Sequence, residues 1–160
     1  MTNNTITLTI TEQDDLNAFF QFQLDEEANY LAAFTAKDSN NKTAYLEKYT
    51  KFLSDPTIHM RTIKVNDVIA GSISKFVMEG DAEITYWIDR KFWKQGIGTT
   101  ALHYFLKMEP ARPIYGRVAF DNYGSQKVLE KCGFVKIGTD KGFANARQAE
   151  IEEFIYKLEQ

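Results

Sequence analysis

The amino-acid sequence predicts a single α/β domain over residues 1–160, with a mixed, mostly antiparallel central sheet flanked by helices. Three observations support this fold class. Helical periodicity dominates the first third of the chain, three β-rich runs follow in the middle, and strands alternate with helices afterwards. Strands joined by short turns pair antiparallel, whereas a strand–helix–strand unit adds a parallel pair. A chain of 160 residues is long enough for one full hydrophobic core.

The first third predicts one strand and three helices. Residues 6–11, ITLTIT, alternate apolar and polar side chains and indicate the first strand. Residues 12–34 carry apolar side chains at helical spacing, and a break near Asp25 divides them into two short helices. Residues 42–54 form another amphipathic helix, which the pair Asp55 and Pro56 ends.

The middle of the chain predicts a meander of three strands. Two β-rich runs meet at Asn66 and Asp67, a pair typical of a tight hairpin turn, and a third run follows. The three predicted strands are residues 58–65, 68–78 and 82–88.

The last part predicts two helices and three strands. One helix begins at Gly96, and a second is capped by Asn122 and stopped by Gly133. The helices cover residues 96–108 and 122–133, and the strands cover residues 114–120, 135–139 and 152–158. Residues 139–150 have weak periodicity and are interpreted as a loop between the last two strands.

The few cysteines and histidines argue against a metal site. Cys132 is the only cysteine, so an intrachain disulfide and a cysteine metal cluster are excluded. Its position on an apolar helix stripe favours a small buried hydrophobe over a nucleophile. His59 and His103 share no ligand spacing; we expect His103 to face solvent, and the sequence shows no partner for His59. No metal is therefore expected.

Charge and hydropathy limit the kinds of partner that the sequence predicts. The net charge of −3 and the lack of a basic stripe disfavour nucleic-acid binding. No apolar run approaches the roughly 20 residues that a membrane span needs. The opening residues lack the basic and apolar blocks of a secretory signal, so we expect a cytoplasmic protein.

A glycine-spaced loop, QGIGTT at residues 95–100, lies between a strand and a helix. It lacks the lysine of a Walker loop, and Ala101 stands where a dinucleotide fingerprint has its third glycine. The preceding strand also belongs to a meander rather than to a first strand–helix unit, which disfavours a dinucleotide-binding protein. The unpaired N–H groups and the dipole of the helix form an anion site suited to a pyrophosphate. A plain strand-to-helix turn is the alternative.

Three basic residues precede this loop. They are expected to raise a local positive potential that the whole chain lacks, and they are Arg90, Lys91 and Lys94. An acidic run, Asp25 to Glu27, is interpreted as a charged turn facing solvent.

Two segments, AEITYWIDRKFWKQGIGTTAL and AFDNYGSQKVLEKCGF, resemble the GNAT superfamily of acyl-CoA-dependent N-acyltransferases. Within it, they are most similar to the branch of ribosomal-protein Nα-acetyltransferases. The coenzyme A loop of the superfamily is matched by Gly96 and Gly98, although Trp93 replaces the usual Arg or Gln. A second motif is met by Asn122, Ser125, Gly133 and Phe134. The resemblance covers residues 58–158 and implies a single-domain GNAT-like fold.

The resemblance implies a set of acetyl-CoA contacts. The pyrophosphate would rest on the main-chain amides of Gln95, Gly96, Ile97, Gly98 and Thr99. The pantetheine arm would pair with the strand backbone at Tyr86, Trp87 and Ile88, while the next strand splays away. Asn122 would bond to this arm, and Ser125 would lie near the cofactor end of the cleft.

The resemblance also implies catalytic roles. Glu83 matches the position that serves as general base, and a solvent-facing carboxylate is its alternative. Leu129 stands where many relatives have a tyrosine acid. Ser125 is the replacement candidate, with a simple hydrogen-bonding role as its alternative, and Tyr123 is a second candidate that an exposed tyrosine would also explain.

We therefore expect an N-acetyltransferase that acts on a primary amine, either a peptide N-terminus or a small molecule, by direct attack in a ternary complex. A non-catalytic coenzyme A-binding module that kept the cofactor cradle is the alternative. The resemblance also admits a homodimer.

Overall fold

The computed structural model describes residues 4–160, so residues 1–3 of the predicted domain lie outside the described part. Within the described residues, seven strands form one mixed sheet, and five α-helices and a short 3-10 turn flank or connect them. The strands are β1 (Ile6–Ile10), β2 (His59–Val65), β3 (Val68–Met78), β4 (Asp81–Ile88), β5 (Ile114–Ala119), β6 (Val135–Ala144) and β7 (Ala149–Leu158). The helices are α1 (Asp15–Gln23), α2 (Glu26–Ala32), α3 (Lys42–Ser54), α4 (Ile97–Met108) and α5 (Tyr123–Lys131), and the 3-10 turn is Arg90–Phe92.

The strand order is β1-β2-β3-β4-β5-β7-β6. Every neighbouring pair is antiparallel except β4 and β5, which run parallel because α4 carries the chain back across the sheet. The predicted mixed, mostly antiparallel sheet is thus confirmed.

Local signals placed several turns and caps correctly. Asn66 and Asp67 have positive φ angles of 51° and 68°, as a tight hairpin between twisted strands requires. Asp25 begins α2, where its side chain accepts a hydrogen bond from the amide of Ala28. The predicted break near Asp25 is therefore a helix cap.

The interpretation of residues 139–150 as a loop is wrong. β6 and β7 continue through this segment as a long hairpin, with a register shift between Lys136 and Gly138. Seven of the ten residues of β6 are exposed, so its part beyond Thr139 shows no alternation of buried apolar side chains that the sequence could display. Pairing with β7, rather than local propensity, makes it a strand.

Helices cover both faces of the sheet. Adjacent residues of β3 belong to different clusters: Ala70 lies in the main core with α4 and α5, whereas Ile69 packs against α1 and α3. Five residues of α4 are buried in the main core, namely Ile97, Ala101, Leu102, Phe105 and Leu106. Met108, the last residue of α4, is 47% exposed. Because these buried residues include Ile97, the first residue of α4, the start of the helix is fixed in the main core near the end of β4. None of the helices in the described residues is both long and apolar enough to cross a membrane.

Candidate active site

A slot opens between β4 and β5. Their parallel ladder joins Ala82 to Ile114, Glu83 to Tyr115 and Ile84 to Gly116, and it ends there. β4 nevertheless runs on to Ile88, and β5 runs on to Ala119 while pairing with β7. Within the described residues, the last four positions of β4, 85 to 88, therefore present their backbone to the slot without a partner in β5. The splaying that the family resemblance implied is present.

The glycine loop lies at the far end of this slot. Gly96 has a left-handed conformation, with φ 75° and ψ 8°, and α4 begins directly after it. Thr100 donates to the carbonyl of Gly96 over 3.1 Å, so the amides of residues 97–99 precede the first hydrogen bond of the helix. A side-chain Cβ built on Gly98 would lie 3.5 Å from Val128 and 3.8 Å from Ile88. The ends of β4, α4 and α5 thus converge at one point.

Trp93, the departure from the usual coenzyme A loop, has a structural contact. Its indole Nε1 donates to the main-chain oxygen of Ile88 over 2.9 Å. This bond ties the loop to the last residue of β4. The side chain therefore helps to fix the turn between the slot and α4.

Two of the three basic residues before the loop, Arg90 and Lys91, have acidic partners, which reduces the positive charge expected there. Arg90 forms ion pairs with Asp25, at 3.3 Å, and with Glu27. Lys91 lies 3.8 Å from Asp89. The acidic run at the start of α2 is consequently an ion-pair partner of the loop and more than a charged turn. The helix N-terminus itself is the stronger anion-binding feature of this region.

Asn122 and Ser125 lie at the start of α5 beside the slot. The Asn122 Oδ1 atom accepts from the amide of Ser125 over 3.3 Å, and Nδ2 donates to the carbonyl of Leu31 over 3.3 Å. The Ser125 Oγ atom lies 2.6 Å from the hydroxyl of Tyr86 on β4. Burial raises the pKa of Tyr86 well above its ordinary value, although the bond to Ser125 opposes this effect. Tyr86 was expected to contribute only its backbone, and its hydroxyl is a functional group that the sequence reasoning missed.

Glu83 lies at the point where the two strands separate. It is only 4% exposed, so the alternative of a solvent-facing carboxylate is wrong. The Arg117 Nε atom donates to its Oε2 over 3.3 Å. Burial raises the pKa of the Glu83 carboxyl above its ordinary value, while Arg117 acts in the opposite direction. Arg117 was not singled out from the sequence, because it lies 34 positions away and no local pattern connects the two residues.

Several other side chains can now be assigned. Leu129 is 2% exposed and packs against Gly116, so the place of the family tyrosine is part of the core. Tyr123 is 66% exposed. Cys132 is half-buried with Sγ 3.5 Å from the carbonyl of Thr99, and burial raises the pKa of its thiol. The sequence showed no partner for His59, but its Nδ1 lies 2.6 Å from a carboxylate oxygen of Glu109.

No group of three or more His, Cys, Asp or Glu side chains in residues 4–160 is arranged to hold a metal ion. The slot offers the carboxylate of Glu83, the hydroxyls of Tyr86 and Ser125 and the main-chain amides at the start of α4. These groups suit acid–base steps and the binding of an anionic cofactor.

Comparison with known proteins identifies the family of this fold. A family model described as an acetyltransferase (GNAT) domain matches residues 5–135. Comparison with curated protein sequences gives no match.

Solved structures share the fold. MccE, a microcin self-immunity acetyltransferase in complex with acetyl-CoA and AMP, gives a TM-score of 0.81 at 19% identity, covering 99% of this chain and 94% of that one. RimL, a ribosomal alpha-N-protein acetyltransferase in complex with coenzyme A, gives 0.77 at 19% identity, with 97% and 94% covered. Mycobacterium smegmatis RimJ, in complex with a coenzyme A disulfide, gives 0.78 at 18% identity, with 96% and 81% covered. The chain belongs to the GNAT family of acetyltransferases, enzymes that move an acetyl group from acetyl-CoA to an amine.

Proposed function

We propose that this protein acetylates the primary amine of a peptide N-terminus or a small molecule by direct attack on acetyl-CoA in a ternary complex. The observation that supports this most strongly is the slot between β4 and β5. Main-chain amides of a helix N-terminus lie at one end of it, and a buried carboxylate lies where the strands separate. An anion site and a candidate base are thereby joined by one open strand edge.

The main chain supplies most of the proposed cofactor contacts. The pyrophosphate of coenzyme A would rest on amides of the loop, from Gln95 through Gly96, Ile97 and Gly98 to Thr99, where the helix dipole favours negative charge. The open backbone of β4 near Trp87 and Ile88 would pair with the amide groups of the pantetheine arm. Asn122 keeps its proposed place beside that arm, although its amide group already caps α5. Acetyl-CoA supplies the thioester that is attacked.

Glu83 is the proposed general base, acting directly or through water. An α-amine with a pKa near 8 is roughly one-tenth neutral at pH 7, whereas for an ε-amine near 10.4 the neutral fraction is on the order of one in a thousand. A base therefore matters more for an ε-type acceptor. The carboxylate of Glu83 is buried beside a single arginine, a setting that keeps it both reactive and in place.

Ser125 is the proposed proton donor to the departing thiolate, and solvent water would return a proton to its hydroxyl. Its hydroxyl lies at the start of α5 and shares a 2.6 Å hydrogen bond with Tyr86, so its orientation is fixed. A tyrosine of ordinary pKa is already protonated at neutral pH, and burial raises the pKa of Tyr86 further. The pair can thus present a hydroxyl hydrogen to the slot. Hydroxyl donation of this kind would replace the tyrosine that Leu129 displaces.

The alternative function is a coenzyme A-binding module without turnover. It is favoured by one observation, the buried Leu129 at the position of the usual acid. Such a module would keep the coenzyme A contacts of the glycine loop and β4, whereas Glu83 and Ser125 would have roles other than acid–base catalysis. Saturable acetyl-CoA binding without thiol release would support it.

We also propose a cytoplasmic location and a homodimer, both of which stay predictions. Sedimentation of the purified chain measures its oligomeric state. A single monomeric species at high concentration would contradict the dimer.

Release of free coenzyme A thiol from acetyl-CoA, measured over a panel of amines, tests the proposed function. The panel contains short peptides with free N-termini, polyamines, aminoglycosides and amino acids, and Glu83→Gln is assayed beside the unaltered protein. A blank without acceptor is needed because the thiol of Cys132 can react with the detection reagent. We expect release with one acceptor class and strong loss in the variant. If no amine of the panel causes thiol release while the protein still binds coenzyme A, the proposed acetyltransferase activity is contradicted.

A further inference from the structure

Arg117 lies immediately beyond the last pair of the β4–β5 ladder. Gly116 pairs with Ile84, and Arg117 follows as the first residue of β5 on the open side. Its side chain reaches back across the opening, where Nε lies 3.3 Å from Oε2 of Glu83. The guanidinium therefore spans the strands at the point where they separate.

The same guanidinium contacts two further carboxylates on the neighbouring hairpin. Nη1 lies 3.3 Å from Oε1 of Glu153 on β7 and 3.4 Å from Oδ2 of Asp140 on β6. The side chain of Glu83 is 6% exposed and that of Glu153 is 18% exposed, whereas that of Asp140 is 61% exposed. Arg117 thus shares one positive charge between two largely buried carboxylates and one exposed carboxylate.

We propose that Arg117 is a positioning residue for acetyl transfer, because it holds the Glu83 carboxylate in its ionised form at the head of the slot. This inference rests on the proposed base role of Glu83. A base must be ionised to take a proton, and burial by itself disfavours the charged form. A fixed guanidinium at hydrogen-bond distance offsets that effect and also restricts the rotation of the carboxylate.

The charges that face Glu83 have opposite effects. Burial raises the pKa of Glu83, Arg117 lowers it, and Glu153 and Asp81 raise it. Removing Arg117 should therefore raise the pKa of Glu83, and removing the charge of Glu153 should lower it. General damage to the fold would not produce shifts of opposite sign.

Three variants test the proposal: Arg117→Met, Arg117→Lys and Glu153→Gln. The first readout is the pH titration of the isotope-labelled Glu83 carboxyl resonance in the protein without ligand, assigned by its loss in Glu83→Gln. The second is kcat/KM against pH, with acetyl-CoA and the panel amine that turns over fastest. The acceptor amine has the same pKa in every assay. A difference between the pH profiles of two variants therefore comes from a group of the protein. Thermal melts establish that each variant is folded. If Arg117→Met does not fold, Arg117→Lys takes its place in the comparison.

We expect the Glu83 titration to move to higher pH in Arg117→Met and to lower pH in Glu153→Gln. The acidic limb of kcat/KM should move in the same directions, and each pH unit of displacement in Arg117→Met corresponds to about a tenfold loss on that limb. Arg117→Lys should lie between that variant and the unaltered enzyme. An unchanged Glu83 titration in Arg117→Met would overturn the inference, as would a shifted titration with unchanged kinetics. If no amine turns over, the proposed function fails and the positioning role with it, whereas the titration would still reveal the pairing.

Discussion

Glu83 is a residue at which stability and the proposed function oppose each other. The residue is 4% exposed, and burial raises the pKa of its carboxyl above the ordinary 4.5. A group of this kind binds its proton more tightly in the folded state than in the unfolded chain. Its contribution to stability is therefore complete below pH 4.5 and is lost as the pH rises through the folded-state pKa. At neutral pH, the ionised side chain lowers the free energy of unfolding.

The variant Glu83→Gln should separate these two effects. We expect kcat/KM for acetyl transfer to fall by about 100-fold or more, the range typical of a lost general base. We expect the melting temperature near neutral pH to stay equal or to rise, because an uncharged amide is easier to bury. The same comparison at acidic pH should show no gain, since Glu83 is then protonated. A lower melting temperature with an unchanged rate would contradict the prediction.

The hydroxyl pair of Tyr86 and Ser125 gives a second prediction at this scale. Ser125→Ala should lower kcat while the KM for acetyl-CoA changes little, because the donor acts on the leaving group. Tyr86→Phe removes one hydrogen bond, worth about 1 kcal/mol, and should lower kcat by about fivefold. The double variant should be no slower than Ser125→Ala, since both changes remove one linked function. A larger loss of kcat in Tyr123→Phe than in Ser125→Ala would show that Ser125 is not the proton donor.

The loop between β4 and α4 shows how one element can separate folding from binding. Gly96 has φ 75°, a conformation that L side chains adopt only with strain. Gly98 has an ordinary φ, and a Cβ there would only touch Val128 at 3.5 Å. Glycine is therefore required at these two positions of the coenzyme A motif for different physical reasons. Gly96 sets the turn, and we expect Gly98 to keep the helix N-terminus accessible to a ligand.

Alanine substitutions should distinguish these reasons. Gly96→Ala should lower the free energy of unfolding by about 1 kcal/mol, measured by denaturant titration. Gly98→Ala should leave that free energy nearly unchanged and raise the KM for acetyl-CoA, because the added methyl narrows the approach to the first amides of α4. Equal effects of both variants on stability, with no effect on KM, would contradict the proposed cofactor site.

At the scale of the whole molecule, Arg147 joins segments that are far apart in sequence. Its guanidinium bonds to both carboxylate oxygens of Asp121, at 2.8 and 2.9 Å, and Nε donates to the carbonyl of Tyr30 over 2.6 Å. The guanidinium carbon also lies 3.9 Å from the centre of the Tyr30 ring. One buried side chain thereby connects the turn of the last hairpin with α2 and with the β5–α5 connection.

Removal of this clamp should cost stability. Arg147→Met leaves the Asp121 carboxylate without its bidentate partner, and we expect a loss of about 3 kcal/mol in the free energy of unfolding. The hydrogen bond from Arg147 lowers the pKa of Asp121 below 3.8, so the stabilisation is present above pH 3.8 and is lost as the pH falls through the folded-state pKa. Denaturant titrations at several pH values measure both effects. Equal stability of the two proteins at neutral pH would contradict the clamp.

Sequence patterns by themselves determined the elements whose signals are local. The turn at Asn66 and Asp67, the break near Asp25 and the cap of α5 at Asn122 all follow from side chains within a few positions of each other. The glycine loop and the Asn122 motif identified the family for the same reason, and the family model confirms it. Such features depend on backbone conformation and periodicity, which short segments encode.

Only the tertiary structure decided which distant groups meet. β6 became a full strand because β7 pairs with it, although almost none of its side chains is buried. Glu83 proved to be buried beside Arg117, and the hydroxyl of Tyr86 proved to meet Ser125, because strands and helices far apart in sequence pack together. These contacts join residues 34 and 39 positions apart, a distance over which no periodic pattern carries information. The sheet topology therefore sets the electrostatics of the candidate site.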